Sequence, residues 1–313
     1  MSVRSRETDE TTMLGYPCMN RTLRDRDIPL RCNRDMRKAT FEERGLPYAS
    51  ELAVQNLTDL YQILRWNLDE DIRFYRCTST LVPWNSQFDL ADLPDYDDIE
   101  LLAQRCGRLI ERHDMRFTFH PDYWCKLAST DDETVRRAVD AVEYHADWLD
   151  LMELDRSPYY GINVHIGATY GDKTATAERF RGAVKRLSPG ARARLTVEND
   201  DEESLWSVPE LVEEVGDEVG VPVVFDYHHH SFTDRGLPYR EAFAQAASTW
   251  GDVRPATHYS EPARLHDDPD AKPQSHSEYV ADLPEWLREQ SDVMIEAGAK
   301  ERAVLEMQTA DEH

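Results

Sequence analysis

The chain has 313 residues, of which 61 are acidic and 36 basic, so its formal net charge is −25. Hydrophobic residues make up 40% of the chain, which permits a large core and disfavours global disorder. It has no run of about 18 apolar residues that would span a membrane, and its start, MSVRSRETDETTM, lacks the apolar stretch of a signal peptide. The sequence therefore predicts a soluble protein with no membrane partner.

Short β-rich runs alternate with longer amphipathic stretches along nearly the whole chain. Eight runs are predicted as strands, at 12–16, 72–76, 116–120, 161–165, 195–198, 221–226, 254–258 and 293–296. Apolar residues at helical spacing lie between them, as in Leu57, Leu60, Tyr61 and Leu64, or in Val135, Val139, Val142 and Ala146. Eight strands with intervening helices predict an α/β fold, a single closed (β/α)8 TIM barrel.

We expect a flexible polar and acidic tail at 1–11, the barrel domain at 12–306 and a C-terminal tail at 307–313. Segment 21–44 is expected to form a loop next to the barrel mouth. It carries eight basic and five acidic residues. Such a loop either is simply solvated or faces a phosphate.

The five cysteines contain no CxxC pair, which argues against a disulfide framework or a thiolate zinc site and favours a reducing cytoplasm. Dense carboxylates with only six lysines are typical of a halophilic protein in a very salty cytoplasm. The alternative is an ordinary acidic enzyme. Acidity therefore does not exclude DNA as a partner, although phosphate binding usually relies on Lys and Arg.

Polar residues recur at one end of the predicted strands, a pattern that a random scatter would not produce. They are Asn20, Arg76, His120, His165, Glu198, Asp226, His258 and Glu296. In a barrel these strand ends converge on one face, where catalytic sites lie. The pattern therefore predicts a functional site at the carboxyl ends of the strands.

The strongest local signal is FDYHHH at 225–230, which places a carboxylate and several imidazoles at one strand end. The candidate metal ligands comprise five imidazoles and three carboxylates: His120, His165, Glu198, Asp226, His229, His258, His276 and Glu296. Mixed nitrogen and oxygen ligands suit Mn²⁺, Zn²⁺ or Fe²⁺, and eight candidates favour two or more ions. Two adjacent metals are the usual means of cleaving a phosphodiester, while a metal-dependent sugar isomerase stays an alternative.

Several motifs resemble the UV damage endonuclease family. They are LGYPCMN at 14–20, WNLDEDIRFYRCTSTLVPW at 66–84, NVHIGATYGDK at 163–173, LTVENDD at 195–201, PVVFDYHHH at 222–230, THYSE at 257–261 and DVMIEAGAKE at 292–301. The resemblance runs in the family's order from about residue 14 to residue 305. It implies a TIM-barrel DNA repair hydrolase that nicks the phosphodiester immediately 5′ of UV lesions and initiates excision repair.

The resemblance also implies the partner, the cofactor and the site. The partner would be damaged double-stranded DNA carrying cyclobutane pyrimidine dimers, 6-4 photoproducts or abasic sites, bound by a monomer. The eight candidate ligands would hold two or three divalent ions, typically Mn²⁺, with Mg²⁺ or Zn²⁺ as alternatives. Catalysis would involve Glu198, Asp226, Glu296 and a phosphate-contacting Lys173, while DNA or the lesion would meet Tyr16, Asn20, Arg76, Tyr123 and Trp124.

The sequence departs from the family pattern at three positions. Tyr123 replaces a glutamine that probes the duplex, and Ala256 and Gly298 replace two lysines near the metal site. These changes leave the hydrogen-bond readout of the orphaned bases and the number of ions open. An abasic-site barrel endonuclease and a damage-binding protein that has lost its nuclease activity are further alternatives.

Overall fold

The computed structural model describes residues 12–311, so the predicted tail at 1–11 and the last two residues lie outside the described part. The strands are β1 (Leu14–Pro17), β2 (Phe74–Cys77), β3 (Arg116–Phe119), β4 (Ile162–Val164), β5 (Leu195–Glu198), β6 (Val223–Asp226), β7 (Ala256–Tyr259) and β8 (Asp292–Ile295). All pair in parallel in chain order, and β8 pairs with β1 through Leu14–Val293 and Gly15–Met294. The predicted closed barrel is confirmed, with each predicted strand present and its ends shifted slightly.

Helices connect the strands and surround the barrel. They are α1 (Arg21–Arg24), α2 (Lys38–Asp69), α3 (Tyr96–Arg112), α4 (Asp132–Leu151), α5 (Lys173–Val184), α6 (Pro189–Arg194), α7 (Val208–Leu211), α8 (Asp217–Val219), α9 (Tyr227–Thr233), α10 (Tyr239–Ser248), α11 (Ala263–His266), α12 (Glu285–Gln290) and α13 (Glu301–Asp311). A π-helical turn, Val212–Gly216, joins α7 to α8.

The apolar stripes predicted from helical spacing face the sheet. Leu57, Leu60 and Leu64 of α2 are fully buried, and Val142 and Ala146 of α4 lie in the same core. Strand residues are buried on both faces because helices cover the outside and side chains fill the inside, as expected for a parallel barrel. The barrel thus supplies a rigid frame for its strand ends.

One prediction about an irregular segment is corrected. Segment 21–44 is partly helical, because Asn20 caps α1 by accepting a hydrogen bond from Leu23 N at 2.8 Å and α2 begins at Lys38. Gly45, at φ +62°, kinks α2. The last helix runs past residue 306, where the domain was expected to end. The domain limits themselves stay a prediction.

The opposite, amino-terminal end of the barrel is closed by a buried arginine. Nη1 of Arg116 lies 3.0 Å from Asp292 Oδ2 and donates to the Arg254 carbonyl at 2.9 Å. Its guanidinium also lies 5.2 Å from the Trp250 ring centre. This end is therefore packed as core, which leaves the carboxyl end for chemistry.

Among the described residues, no helix is both long and apolar enough to cross a membrane.

Candidate metal centre

Histidines and carboxylates converge where the strands end. In a closed parallel barrel all carboxyl ends surround one axis, so residues distant in sequence meet there. Three groups of potential ligand atoms, each within 4.8 Å of one another, form at this end: His120, His165 and Glu198; Glu198, Asp226 and His229; Asp226, His258 and Glu296. Because neighbouring groups share Glu198 or Asp226, they make one continuous centre, which we call the metal centre.

Glu198, which ends β5 and is 1% exposed, lies in the middle of the metal centre. The imidazole nitrogens around its carboxylate belong to His258 at 3.1 Å, His229 at 3.3 Å, His120 at 3.5 Å and His165 at 3.8 Å. Asn163 donates a hydrogen bond to Glu198 Oε2, and the Thr196 hydroxyl donates to Asn163 Oδ1 at 2.9 Å. Two neighbouring strands therefore fix the orientation of this carboxylate.

Asp226 connects the end of β6 to the start of α9. Its Oδ1 accepts a hydrogen bond from the backbone N–H of His229 at 2.7 Å, which caps the helix and turns the His229 ring toward the metal centre. Of the three histidines in FDYHHH, only His229 belongs to the ligand groups. His228 packs on Phe232, and His230 donates to the Leu237 carbonyl at 2.9 Å.

Glu296 lies just beyond β8 and contacts residues from β2, from β7 and from the loop between α11 and α12. Its Oε1 accepts a hydrogen bond from Arg76 Nη1 and lies 3.2 Å from His258 Nδ1. The Glu296 carbonyl accepts a hydrogen bond from His276 Nδ1 at 2.7 Å. This bond leaves His276 Nε2 as the nitrogen that could bind a metal, although His276 lies outside the three compact groups. Arg76 thus pairs with a ligand candidate, and its predicted role in positioning the DNA backbone stays a prediction.

The structure adds two residues that the sequence analysis did not single out. Asp200 is 4% exposed, and its Oδ1 lies 3.0 Å from His165 Nδ1. Asn199 forms two hydrogen bonds with the backbone of Asp226. Its Nδ2 donates to the Asp226 carbonyl at 3.0 Å, and its Oδ1 accepts from the Asp226 N–H at 2.9 Å. Both residues come directly after Glu198 in the LTVENDD motif. Their position next to a candidate ligand is the sequence feature that could have identified them.

Opposing effects of burial and charge set the pKa values in the metal centre. Burial alone would lower the pKa of His165, but Glu198 and Asp200 outweigh it and raise the pKa to about 9. Burial opposes the charged form of His229 too, yet Asp226 and Glu198 raise its pKa well above the ordinary value. Burial raises the pKa of Asp226 to about 6. Without a cation, the cluster therefore holds protons near neutral pH.

The residues present fit divalent cations. Asp226 Oδ2 is buried and has no hydrogen-bond partner among the described residues. A buried polar atom without a partner is costly, and a divalent ion would satisfy carboxylate oxygens and imidazole nitrogens together. The mixed nitrogen and oxygen donors match ions such as Mn²⁺, Zn²⁺ or Fe²⁺. The metal centre can therefore hold more than one ion across its three groups.

Lys173, predicted to contact a phosphate during catalysis, is engaged elsewhere. Its ammonium lies 2.6 Å from Glu210 Oε1 and donates to the Leu205 carbonyl at 2.6 Å. It also lies 5.4 Å from the centre of the Trp206 ring. None of its contacts within residues 12–311 reaches the three ligand groups. These contacts indicate that Lys173 holds the loop after β5 to the start of α5. Its catalytic role stays a prediction.

Tyr16 and Asn20, predicted to meet the damaged nucleotides, are buried at 0% and 2% exposure. The Tyr16 hydroxyl donates to Asn67 Oδ1 at 2.7 Å, and Asn20 Nδ2 donates to the Tyr16 oxygen at 2.9 Å. Asn20 also caps α1. Because these polar groups bond one another and the helices, they support the segment after β1 and do not present a free surface to DNA.

The predicted duplex-probing aromatics are exposed. Tyr123 is 91% exposed and Trp124 is 48% exposed, on the segment between β3 and α4. Both therefore project from the face that holds the metal centre.

The two positions that lack the family lysines differ in their surroundings. Ala256 is buried in β7, below His258. At Gly298, an added Cβ would lie 2.7 Å from Glu278 Oε1, because that carboxylate fills the space and pairs with Arg21 at 3.0 Å. An Arg21–Glu278 ion pair thus occupies the region beside Gly298.

Comparisons with known proteins agree with this architecture. A family model described as UV-endonuclease UvdE matches residues 12–312. A UV-damage endonuclease from Schizosaccharomyces pombe is 32% identical over 307 residues, which cover 94% of this chain and 50% of that protein. A UV DNA damage endonuclease from Bacillus cereus strain Q1 is 30% identical over 80% of this chain and 79% of its own length. The chain thus spans about half the length of its fungal relatives.

A solved structure has the same fold over nearly its full length. The crystal structure described as SacUVDE superposes with a TM-score of 0.83 and 27% sequence identity, covering 96% of this chain and 97% of that chain.

Proposed function

The chain belongs to the UV-endonuclease UvdE family, and on that basis we propose that it is a DNA repair endonuclease. It nicks one strand immediately 5′ of a UV lesion and so initiates excision repair. Its substrates are double-stranded DNA with cyclobutane pyrimidine dimers or 6-4 photoproducts, and abasic sites are a further candidate. The observation that carries the proposal is the metal centre, in which Glu198 and Asp226 are each shared by two ligand groups.

The eight side chains predicted as ligands would hold two or three divalent ions, Mn²⁺ foremost. Bound there, such ions would supply Lewis acidity for hydrolysis of a phosphodiester. The protein's own contribution is orientation. Asn163 fixes the Glu198 carboxylate, Asn199 fixes the Asp226 backbone, and Arg76 fixes the Glu296 carboxylate. Holding three acidic side chains in place before DNA arrives reduces the rearrangement needed during the reaction.

DNA contact is assigned to exposed groups on the same face. Tyr123 and Trp124 enter the gap at the lesion and stack on unpaired bases. The buried pair Tyr16 and Asn20 acts indirectly, by fixing the segment after β1 that carries the arginines of 21–37. The exposed arginines among them, Arg24, Arg26, Arg31 and Arg37, contact phosphates without reading sequence. The protein works as a monomer in the cytoplasm of a halophilic host.

A nicking assay tests this proposal. An end-labelled duplex with one cyclobutane dimer is incubated with the protein and Mn²⁺, Mg²⁺, Zn²⁺ or EDTA across a KCl series. We expect one metal-dependent cut just 5′ of the dimer, strongest with Mn²⁺ and retained at molar KCl. Undamaged duplex of the same sequence is the control.

The other outcomes separate the alternatives. Cleavage of an abasic duplex alone would indicate an abasic-site endonuclease. Retention of damaged DNA without a cut would indicate a damage-binding protein, and metal binding without DNA retention would indicate isomerase-like chemistry. Activity lost in molar KCl but strong at low salt would contradict the halophilic origin.

A further inference from the structure

An exposed tyrosine lies on the loop that follows the candidate ligand His165. Tyr170 is 42% exposed and belongs to the segment between β4 and α5. This segment leaves the barrel at the same carboxyl end as the metal centre. A single exposed aromatic ring is common on protein surfaces, so the backbone and the contacts of Tyr170 must indicate what it could bind.

The backbone holds Tyr170 in an unfavourable conformation. Its φ is +50°, in the left-handed region, and it precedes Gly171 at φ +77°. A side chain with a Cβ is disfavoured there, and such positions persist only where the surroundings impose them. The Thr176 hydroxyl donates to the Thr169 carbonyl at 2.6 Å, and Trp206 Nε1 donates to the Gly167 carbonyl at 3.0 Å. The Thr176 hydroxyl also lies 2.7 Å from the Asp172 carbonyl, so contacts on both sides of Tyr170 fix the turn that presents the ring.

One arginine supports the ring from the protein side. The Arg179 guanidinium carbon lies 5.2 Å from the centre of the Tyr170 ring. Arg179 also donates to Thr176 Oγ1 at 2.8 Å and to the Ala128 carbonyl at 2.9 Å. Ala128 belongs to the segment between β3 and α4 that carries Tyr123 and Trp124. The same guanidinium thus joins the Tyr170 turn to the segment of the other two exposed aromatics.

We infer that Tyr170 is a nucleotide-stacking residue, which uses its exposed ring to hold a base displaced from the duplex near the lesion. The inference rests on the proposed DNA repair function. A rigid aromatic ring binds any base through its π face and loses little conformational entropy in doing so. Stacking also suits a chain with a net charge of −25, since attraction to phosphates is weak for an acidic protein and is further screened by salt.

Three substitutions at Tyr170 and one matched control test the inference. Tyr170→Phe keeps the ring, Tyr170→Leu removes it, and Tyr170→Gly removes it while relieving the left-handed backbone. The control is Tyr61→Leu, because Tyr61 also lies near an arginine, with Arg105 4.7 Å from its ring centre, but on the helices α2 and α3. Binding to a dimer-containing duplex is measured by fluorescence anisotropy with EDTA, and KM and kcat are measured in the nicking assay.

We expect Tyr170→Leu and Tyr170→Gly to raise Kd and KM roughly 5- to 150-fold, the range for loss of one base–aromatic stack. Tyr170→Phe and Tyr61→Leu should match the wild-type protein. The loss should persist in molar KCl, because stacking is not screened. Tyr170→Gly should unfold at the same temperature as the wild-type protein or higher, which separates lost binding from lost folding. A 2-aminopurine base opposite the lesion should fluoresce less in the wild-type complex than in the Tyr170→Leu complex.

Each contrary result has a definite meaning. If the wild-type protein nicks at the dimer and Tyr170→Leu has the same nicking activity and the same Kd for the duplex, the stacking role alone is overturned. Equal defects in Tyr170→Phe and Tyr170→Leu would assign the effect to the hydroxyl and also overturn it. A wild-type protein that neither binds nor nicks damaged DNA would overturn the proposed function and this inference together.

Discussion

Nδ1 of His165 lies 3.0 Å from Oδ1 of Asp200, across the ends of β4 and β5. A carboxylate behind a ligand histidine fixes the ring orientation and determines which nitrogen carries the proton. Nε2 of His165, which lies 3.8 Å from Glu198, is then the nitrogen directed at the metal centre. This pairing makes Asp200 a positioning residue for a candidate metal ligand, although it belongs to none of the three ligand groups.

Asp200→Asn should therefore weaken metal binding about 10- to 100-fold, the usual effect of losing a carboxylate behind a ligand histidine. The amide keeps the size of the side chain but removes the charge that orients His165. Isothermal titration with Mn²⁺ measures the change, and Asp201→Asn at the next position is the control. If the two variants bind Mn²⁺ with equal affinity, Asp200 contributes to folding alone and not to metal binding.

Glu296→Gln should lower nicking at least about 100-fold, because one anionic ligand candidate is lost from the metal centre. Arg76 can still donate to the amide oxygen, so the local fold and binding of the damaged duplex should be retained. The nicking assay and binding anisotropy are compared for this variant and for Glu306→Gln on the exposed face of α13. Wild-type turnover in Glu296→Gln would remove Glu296 from the site.

Metal affinity should rise with pH up to about 9. Glu198 and Asp200, opposing burial, raise the pKa of His165 to about 9, so the metal-free protein carries a proton on this ring at neutral pH. An imidazole must lose that proton to bind a metal, so affinity should increase about tenfold per pH unit for each proton displaced. Titration in two buffers of different ionisation enthalpy counts the protons. A pH dependence that ends near about 6.5, the ordinary histidine pKa, would contradict the raised value.

Lys173→Met should reduce stability by about 1 kcal/mol, because it removes a half-exposed ion pair with Glu210 and a hydrogen bond to the Leu205 carbonyl. At temperatures where the variant is folded, kcat for nicking should stay unchanged. Urea denaturation and the nicking assay measure the two quantities on the same sample. A large loss of kcat at unchanged stability would instead support the predicted catalytic role of Lys173.

Two helical glycines should respond to alanine in opposite directions. A Cβ at Gly107 in α3 would lie 1.8 Å from the Met152 carbonyl oxygen, so Gly107→Ala should cost about 3 kcal/mol or more. A Cβ at Gly182 in α5 would meet nothing within 4 Å, so Gly182→Ala should stabilise the protein by about 0.5 to 1 kcal/mol. Urea unfolding of both variants measures whether their free energies of unfolding change in opposite directions.

Much of the fold and the core of the metal centre follow from local sequence signals. Alternating β-rich and amphipathic segments identified eight strands, and a polar residue at the end of most strands identified one barrel face. Glu198, Asp226 and Glu296 could be found because strand direction alone sends every carboxyl end to the same place. Strand position thus predicted which side chains meet, without knowledge of their contacts.

The roles of other residues depended on tertiary contacts. Tyr16 bonds Asn67 of α2, and Lys173 pairs with Glu210 of α7, so both are engaged within the protein, although their sequence motifs suggested contact with DNA. Conversely, Asp200 gained a role from its distance to His165. Hydrophobic periodicity and residue type are local properties, so the sequence alone determined the barrel and its ligand-bearing face. Whether a polar side chain faces solvent or a distant helix depends on non-local packing, and only the tertiary structure decided it.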